Sequence, residues 1–268
     1  MAKVRDRFWL WGHEGAAHNE GWGLPAPSRM TAAEAAHYLG TPGVVMVSYG
    51  GTPAPPFDQH AMALSSLDRV CWSIIGDSST KRNDEQSDID EVIRIAGKYP
   101  NITAAIMDDF FHDKGDDAGR ASADQIRTFQ QKLHNAKRAD GGTGLDLWVV
   151  LYSRQLEMDF TQHLEYCDVV TFWTWNASQL VDLERNFARL EERAPDTRKI
   201  LGCYLWDYGD HLPMPVESMK AQAEFGLDAL RSGRIEGMIF LSNCVADIGL
   251  DAVEWTRDWI AKVGGETL

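Results

Sequence analysis

The sequence predicts an α/β protein folded as a single (β/α)8 barrel spanning residues 1–268. Three observations predict it. Eight short apolar, β-branched or aromatic runs recur at 7–12, 43–49, 69–76, 102–108, 145–152, 169–175, 199–206 and 236–241, each of strand length. Segments of helical period lie between them. No glycine-rich phosphate turn follows the first run, where a doubly wound open sheet would usually carry one. Eight βα units whose starts lie about 33 residues apart match the roughly 250 residues of a closed barrel.

The elements follow in order. Most of the runs are continuous rather than alternating, as strands buried on both faces require. The first helix is delimited by its own chemistry: Thr31 and Glu34 form a capping box, and Gly40 stops the segment after Leu39. A weaker helical segment covers 58–67. The segment 84–99 places Ile89, Val92, Ile93 and Ala96 on one face and ends at Pro100. Segment 122–139 carries Ile126, Phe129, Gln130 and Leu133 at helical spacing, and 161–166 is again weak. Segment 178–194 carries Leu180, Leu183, Phe187 and Leu190 before Pro195. Met219, Ala223, Leu227 and Leu230 mark 216–232, and Val253, Trp255, Trp259 and Ile260 mark 251–263. Strict βα alternation implies parallel strands joined by right-handed crossovers.

Composition narrows the partners. With 26 Lys+Arg against 40 Asp+Glu the formal charge is −14, which disfavours nucleic-acid backbones and anionic membranes and suits a neutral or cationic small-molecule or oligosaccharide ligand. No segment approaches the length of a membrane span. The N-terminal apolar burst at 8–11 is too short for a signal-peptide core, so the chain reads as cytoplasmic. Cys71, Cys167, Cys203 and Cys244 are widely spaced and read as buried, reduced thiols.

In such barrels the active site lies at the C-terminal ends of the strands. Those ends read Trp11-Gly12-His13-Glu14, followed by a loop with His18, Asn19, Glu20 and Trp22; then Ser48-Tyr49-Gly50-Gly51; Gly76-Asp77; and Met107-Asp108-Asp109-Phe110-Phe111-His112. The remaining four read Tyr152-Ser153-Arg154-Gln155, Trp173-Thr174-Trp175-Asn176, Trp206-Asp207-Tyr208 and Ser242-Asn243. They are rich in carboxylates, aromatics and amides, and Arg154 is the single strand-end cation. Carboxylates in a walled cup can have their pKa values pushed apart, and aromatic faces beside hydroxyl-binding groups suit a sugar ring.

Asp108-Asp109 is the sharpest signal. Alternation along the strand puts Thr103, Ala105 and Met107 inward, with Asp109 in phase as the catalytic group and Asp108 as its support. Their competing structural role is to cap the next helix or pair with Arg120. Asp207, three strands away around the ring, is the expected partner carboxylate, and Glu14 is a second candidate. The structural alternative for Asp207 is to hold Tyr208 or a loop. Tyr49, Tyr152, Asn176, Tyr208 and Asn243 are candidate hydroxyl binders, with His13 beside them. Trp175 and Trp206 are candidate stacking platforms, and Trp22 lies in the first loop beside them. His13, His18 and His112 lack HxH or HExxH spacing, so the sequence assigns no metal and no cofactor.

The pattern resembles the TIM-barrel glycoside hydrolases. The resemblance is architectural over the whole chain and motif-specific at 106–111 and at Trp206-Asp207. It implies an acid or nucleophile after the fourth strand and a second carboxyl group after the seventh. The sequence lacks the Asn-Glu pair that one large clan carries after strand four, and the spaced Asp-Asp-Glu series of chitinase-like barrels; no particular family is assigned. The leading expectation is therefore a carbohydrate-active hydrolase, with Asp109 protonating the leaving oxygen and Asp207 or Glu14 as nucleophile or base. A metal-dependent sugar isomerase, epimerase or lyase, and a non-catalytic sugar-binding barrel, are the alternatives.

Overall fold

The computed structural model describes residues 2–112 and 119–268. Eight parallel strands close on themselves: β1 (Phe8–Gly12), β2 (Gly43–Met46), β3 (Arg69–Ile75), β4 (Ile102–Met107), β5 (Asp146–Tyr152), β6 (Val169–Trp173), β7 (Arg198–Tyr204) and, after a two-stranded hairpin of β8 (Trp206–Asp207) and β9 (Leu212–Pro213), β10 (Gly237–Leu241). β1 pairs with both β2 and β10, so the ring has no free edge. Helices α1 (Ala32–Leu39), α2 (Asp58–Ala63), α3 (Ile89–Ala96), α4 (Ala123–His134), α5 (Thr161–Leu164), α6 (Leu183–Arg193), α7 (Val216–Arg231) and α8 (Asp251–Val263) fall between or after the strands. This is the (β/α)8 barrel that the βα alternation predicts.

Local chemistry sets the helix ends. Thr31 Oγ1 accepts from the Glu34 N–H while Glu34 accepts from the Thr31 N–H at 2.8 Å, and Gly40 leaves α1 in the left-handed region at φ 76°. Ser122 and Gln125 repeat the box at α4. The helix expected at 84–99 is shortened to Ile89–Ala96, and that at 178–194 is split. A 3-10 turn over Lys81–Asp84 precedes α3, and another over Ala177–Asp182 leads into α6. All four cysteines are buried and unpaired.

The interior is filled by tryptophan. Trp9 meets Trp148 at 5.0 Å, and one layer higher Trp11 meets Trp173 at 5.2 Å, both edge to face. Room for these rings comes from glycine. A Cβ at Gly43 would stand 2.5 Å from the Trp9 ring, and one at Gly202 only 2.1 Å from the Trp173 ring. The Trp173 indole N–H donates to Thr171 Oγ1 at 2.9 Å, which fixes the ring that Gly202 admits.

Strand register corrects the expected phase of β4. Ile106 lies opposite Trp148 and Ala104 opposite Asp146, and residues directly opposite share a face. Trp148 packs on Trp9 inside the barrel, so Ala104, Ile106 and then Asp108 point inward, not Thr103, Ala105 and Met107.

The seventh strand also differs from expectation. It ends at Tyr204, and Trp206-Asp207 pairs antiparallel with Leu212–Pro213 in the small hairpin.

A Gly202→Ala substitution is expected to destabilise the fold by about 1–3 kcal/mol through overpacking against Trp173. The urea midpoint measures it, and an unchanged midpoint would contradict the tight fit under that ring.

Candidate active site

A cavity of about 350 Å3 opens at the C-terminal end of the barrel. Its floor is the upper tryptophan layer, Trp11 and Trp173, with Val150 and Leu241. Its walls are Trp22, Tyr49, Tyr152, Trp175, Tyr204 and Tyr208, with His13 and His18 on one side. Three carboxylates line it, Asp77 from the end of β3 and Asp108 and Asp109 from the end of β4, and Arg154 stands at the rim. The volume falls within the range of small-ligand sites.

Asp109 reaches this cavity although Asp108 holds the inward phase. Its φ of 42° puts it in the left-handed region, which turns the chain and brings the second carboxylate to the same mouth. Asp109 Oδ1 accepts from the Tyr152 hydroxyl at 2.7 Å, and Oδ2 accepts from the Ser78 N–H at 3.1 Å. Behind it Asp108 is buried, accepting from the Asp109 N–H at 2.8 Å. Burial, then the charges of Asp109 and Asp77, push the Asp108 carboxyl well above the usual carboxylate range, which favours its protonated form. Burial also raises the phenols of Tyr152, Tyr204 and Tyr208, so all three are neutral hydroxyls. The Arg154 guanidinium lies 4.1 Å from the Tyr152 ring centre and 5.6 Å from that of Trp175.

Asp77 is a loop anchor as well as a wall. Oδ1 accepts from the Gly50 N–H and the Thr80 hydroxyl, and Oδ2 accepts from the Ser79 N–H and hydroxyl. It thereby holds the β3 loop whose Ser78 N–H orients Asp109.

His13 and His18 are neutral. The His13 Nδ1 faces the Val47 carbonyl at 3.1 Å; a carbonyl only accepts, so Nδ1 carries the proton and Nε2 accepts from the Trp11 indole N–H at 3.2 Å. Burial lowers its pKa to about 4. His18 Nδ1 lies 3.0 Å from the Tyr208 hydroxyl, and burial with the nearby His13 lowers its pKa to about 2. His112 is exposed. Both His13 nitrogens are thus engaged within the protein. Among the described residues no group of three or more His, Cys, Asp or Glu side chains is placed to hold a metal ion.

The expected site residues divide. His13, Trp22, Tyr49, Asp108, Asp109, Tyr152, Trp175 and Tyr208 come together around the cavity. Asp207 does not. It sits in the hairpin, where Oδ1 accepts from the Gly209 and Asp210 N–H groups and Oδ2 from the Ala177 N–H. The pairing of Asp109 with Asp207 is corrected accordingly: the chain leaves the barrel after Tyr204, and Asp207 holds a loop.

Glu14 points away toward His60, 3.5 Å distant, and is 45% exposed. The Trp206 ring is buried outside the cavity wall and donates its N–H to the Trp22 carbonyl, so it supports Trp22 instead of stacking on a ligand. Asn176 donates to Asp210, and Asn243 bridges the His13 backbone and the Met30 carbonyl. Neither amide lines the cavity.

Tyr204 and Ser78 lie outside the strand-end residues that the sequence marks, whereas Trp11 and Asp77 are among them without an assigned role. The alternation of Trp9, Trp11 and His13 was a usable signal for Trp11. Tyr204 was hidden by extending the seventh run to Trp206.

No protein-family model matches the chain, and no curated protein sequence matches it. Solved structures do match. Active domain 2 of a thermostable chitinase from Pyrococcus furiosus, in complex with chito-oligosaccharides, is 14% identical at a TM-score of 0.59, covering 100% of this chain and 99% of that one. A GH18 chitinase variant from Cycas revoluta, in complex with (GlcNAc)4, is 12% identical at 0.57, covering 94% and 99%. A glycoside hydrolase family 5 enzyme from Prevotella bryantii is 13% identical at 0.51, covering 95% and 97%. At these identities the likeness is one of fold: the chain shares the TIM-barrel architecture of glycoside hydrolases.

The buried neutral histidines have a consequence for stability. Unfolded imidazoles titrate near 6.5, so as pH falls from 6.5 toward 4 the unfolded chain takes up protons that the folded chain refuses, and stability falls. Asp108 acts oppositely, losing its contribution as pH rises, so the informative quantity is a difference between proteins. Between pH 6.5 and 4 the wild type is expected to lose roughly 5 °C more in Tm than His18→Gln, from about 3 kcal/mol of differential protonation. Parallel curves would contradict a neutral, buried His18.

Proposed function

We propose that the protein is a glycoside hydrolase acting on a neutral sugar, with Asp109 at the scissile bond. One observation carries this reading. The Asp109 carboxylate stands at the mouth of an aromatic-walled cavity, oriented by the Tyr152 hydroxyl and the Ser78 N–H, with the buried Asp108, whose pKa is raised, directly behind it. Burial and the charges of Asp109 and Asp77 favour the protonated form of Asp108, which puts a proton source beside Asp109. Glycoside cleavage needs such a proton for the leaving oxygen. Asp109, the more open of the two, delivers it to the leaving oxygen, with Asp108 behind it. Trp22 and Trp175 offer faces to a sugar ring, and Tyr49, Tyr204 and Tyr208 offer hydroxyls to its rim.

Among the described residues no second carboxylate of the usual pair lines the opposite wall. Among the described residues the cavity carboxylates all come from β3 and β4, and Asp77 is committed to its loop. A sugar with a 2-acetamido group needs no such partner. Its carbonyl oxygen attacks C1 as the C1–O bond breaks, and the leaving oxygen takes the proton from Asp109. Water then opens the cyclic intermediate, giving a proton back to Asp109. Chito-oligosaccharides, the ligands of two of the matched chitinases, belong to this class. We therefore propose a 2-acetamido sugar as substrate.

Purified protein should release 4-nitrophenol from an N-acetylglucosaminide, and Asp109→Asn should lower kcat by about 10²–10⁴-fold while leaving the circular dichroism spectrum unchanged. A folded Asp109→Asn protein with full activity would remove Asp109 from the mechanism. Equal turnover of the matching glucoside, which lacks the acetamido group, would overturn the internal nucleophile and leave the glycosidase reading standing.

A further inference from the structure

A second pocket lies at the opposite end of the barrel, among the N-terminal ends of the strands and the loop after α4. It encloses about 670 Å3. Its walls carry Arg7, Arg69, Arg138 and Arg198 against two carboxylates, Asp146 and Glu236, a surplus of positive charge in a chain of formal charge −14. Its inner wall is Trp9 and Trp148, the lower tryptophan layer, so the interior side chains separate it from the Asp109 cavity.

The charges in this pocket are unevenly matched. Arg198 takes both carboxylates, at 2.9 Å to Asp146 and 3.2 Å to Glu236. Arg138 pairs with Asp140. His134, which also lines the pocket, faces Asp168 at 3.0 Å. Arg7 and Arg69 have no carboxylate within ion-pair distance among the described residues. Arg69 lies 4.2 Å over the Trp9 ring and donates to the Asp6 carbonyl, a neutral acceptor. Burial, then the neighbouring Arg7 charge, lower its pKa to about 10, against the opposing charges of Asp6 and Asp68.

Two donors are unused. The Trp148 indole N–H and the Arg138 Nε–H are buried and have no hydrogen-bond partner, and Trp148 is only 4% exposed. A buried donor left unpaired costs about 1–3 kcal/mol, which an oxyanion supplying acceptor oxygens would recover.

We infer that this pocket is a binding site for a small multivalent oxyanion, held by Arg7 and Arg69 and completed by the Trp148 and Arg138 donors. Guanidinium groups match the geometry of phosphate and of carboxylate alike, so the ligand class is defined by charge and acceptor oxygens. Arg7 and Arg69, the two guanidiniums without a carboxylate partner among the described residues, suit an anion of more than one charge.

The test is calorimetric titration of the full chain with inorganic phosphate, pyrophosphate and citrate at matched ionic strength. Saturable binding of at least one is expected, and comparing the phosphate and citrate arms separates a phosphate-bearing ligand from a polycarboxylate. Arg69→Met should weaken that binding at least tenfold. Trp148→Phe, which keeps a ring and removes the N–H, should weaken it several-fold, and it carries the test should Arg69→Met fail to fold. Absence of saturable heat with all three anions, or equal affinity in wild type and folded variants, would overturn the site. Glycosidase activity is read separately and does not enter this result.

Discussion

Ring closure is the constraint on which the rest of the molecule depends. Once β1 pairs with both β2 and β10, the inside of the barrel has a fixed width and must be filled by side chains. This chain fills it with two tryptophan layers, and Gly43 and Gly202 yield the space that the rings need. The layers divide the interior into two chambers. The upper chamber, over Trp11 and Trp173, receives the strand ends with Asp108 and Asp109. The lower, under Trp9 and Trp148, receives the arginines.

The filled interior also sets the electrostatics. A dry floor and aromatic walls penalise charge, so the groups nearest the floor are pushed toward their neutral forms: the Asp108 carboxyl is raised, His13 and His18 are lowered, and the tyrosines stay hydroxyls. Asp109, one residue further along and less buried, is positioned by donors instead. The Tyr152 hydroxyl and the Ser78 N–H both point at its oxygens. Adjacent residues thus acquire different characters from a difference in depth of one residue, and the left-handed backbone of Asp109 makes that difference possible.

The β4 end illustrates how far sequence reasoning reached. The Asp108-Asp109 signal was legible because two carboxylates at the close of an apolar run are out of place unless something uses them. Their phase was not legible, because Ile102, Ala104 and Ile106 and Thr103, Ala105 and Met107 are both apolar enough to face either way. Only pairing with Trp148 decides it. Asp207 failed for another reason. Trp206-Asp207 continues the apolar pattern of the seventh run without a break, yet Asp207 takes up three backbone N–H groups and turns the chain into a hairpin. Asn243 and Asn176 failed similarly, since a short amide at a strand end serves a loop as readily as a ligand.

By itself the sequence determined the barrel, the helix boundaries at Thr31 and Gly40, and the end of the ring at which the carboxylates gather, because periodicity and capping are local properties of the chain. The tertiary structure alone decided which carboxylates share a cavity, how burial biases their protonation, and that arginines from four distant segments meet at the far end. Distance across a closed ring, and the depth of a group below its mouth, depend on strands far apart in sequence, and no local pattern records either.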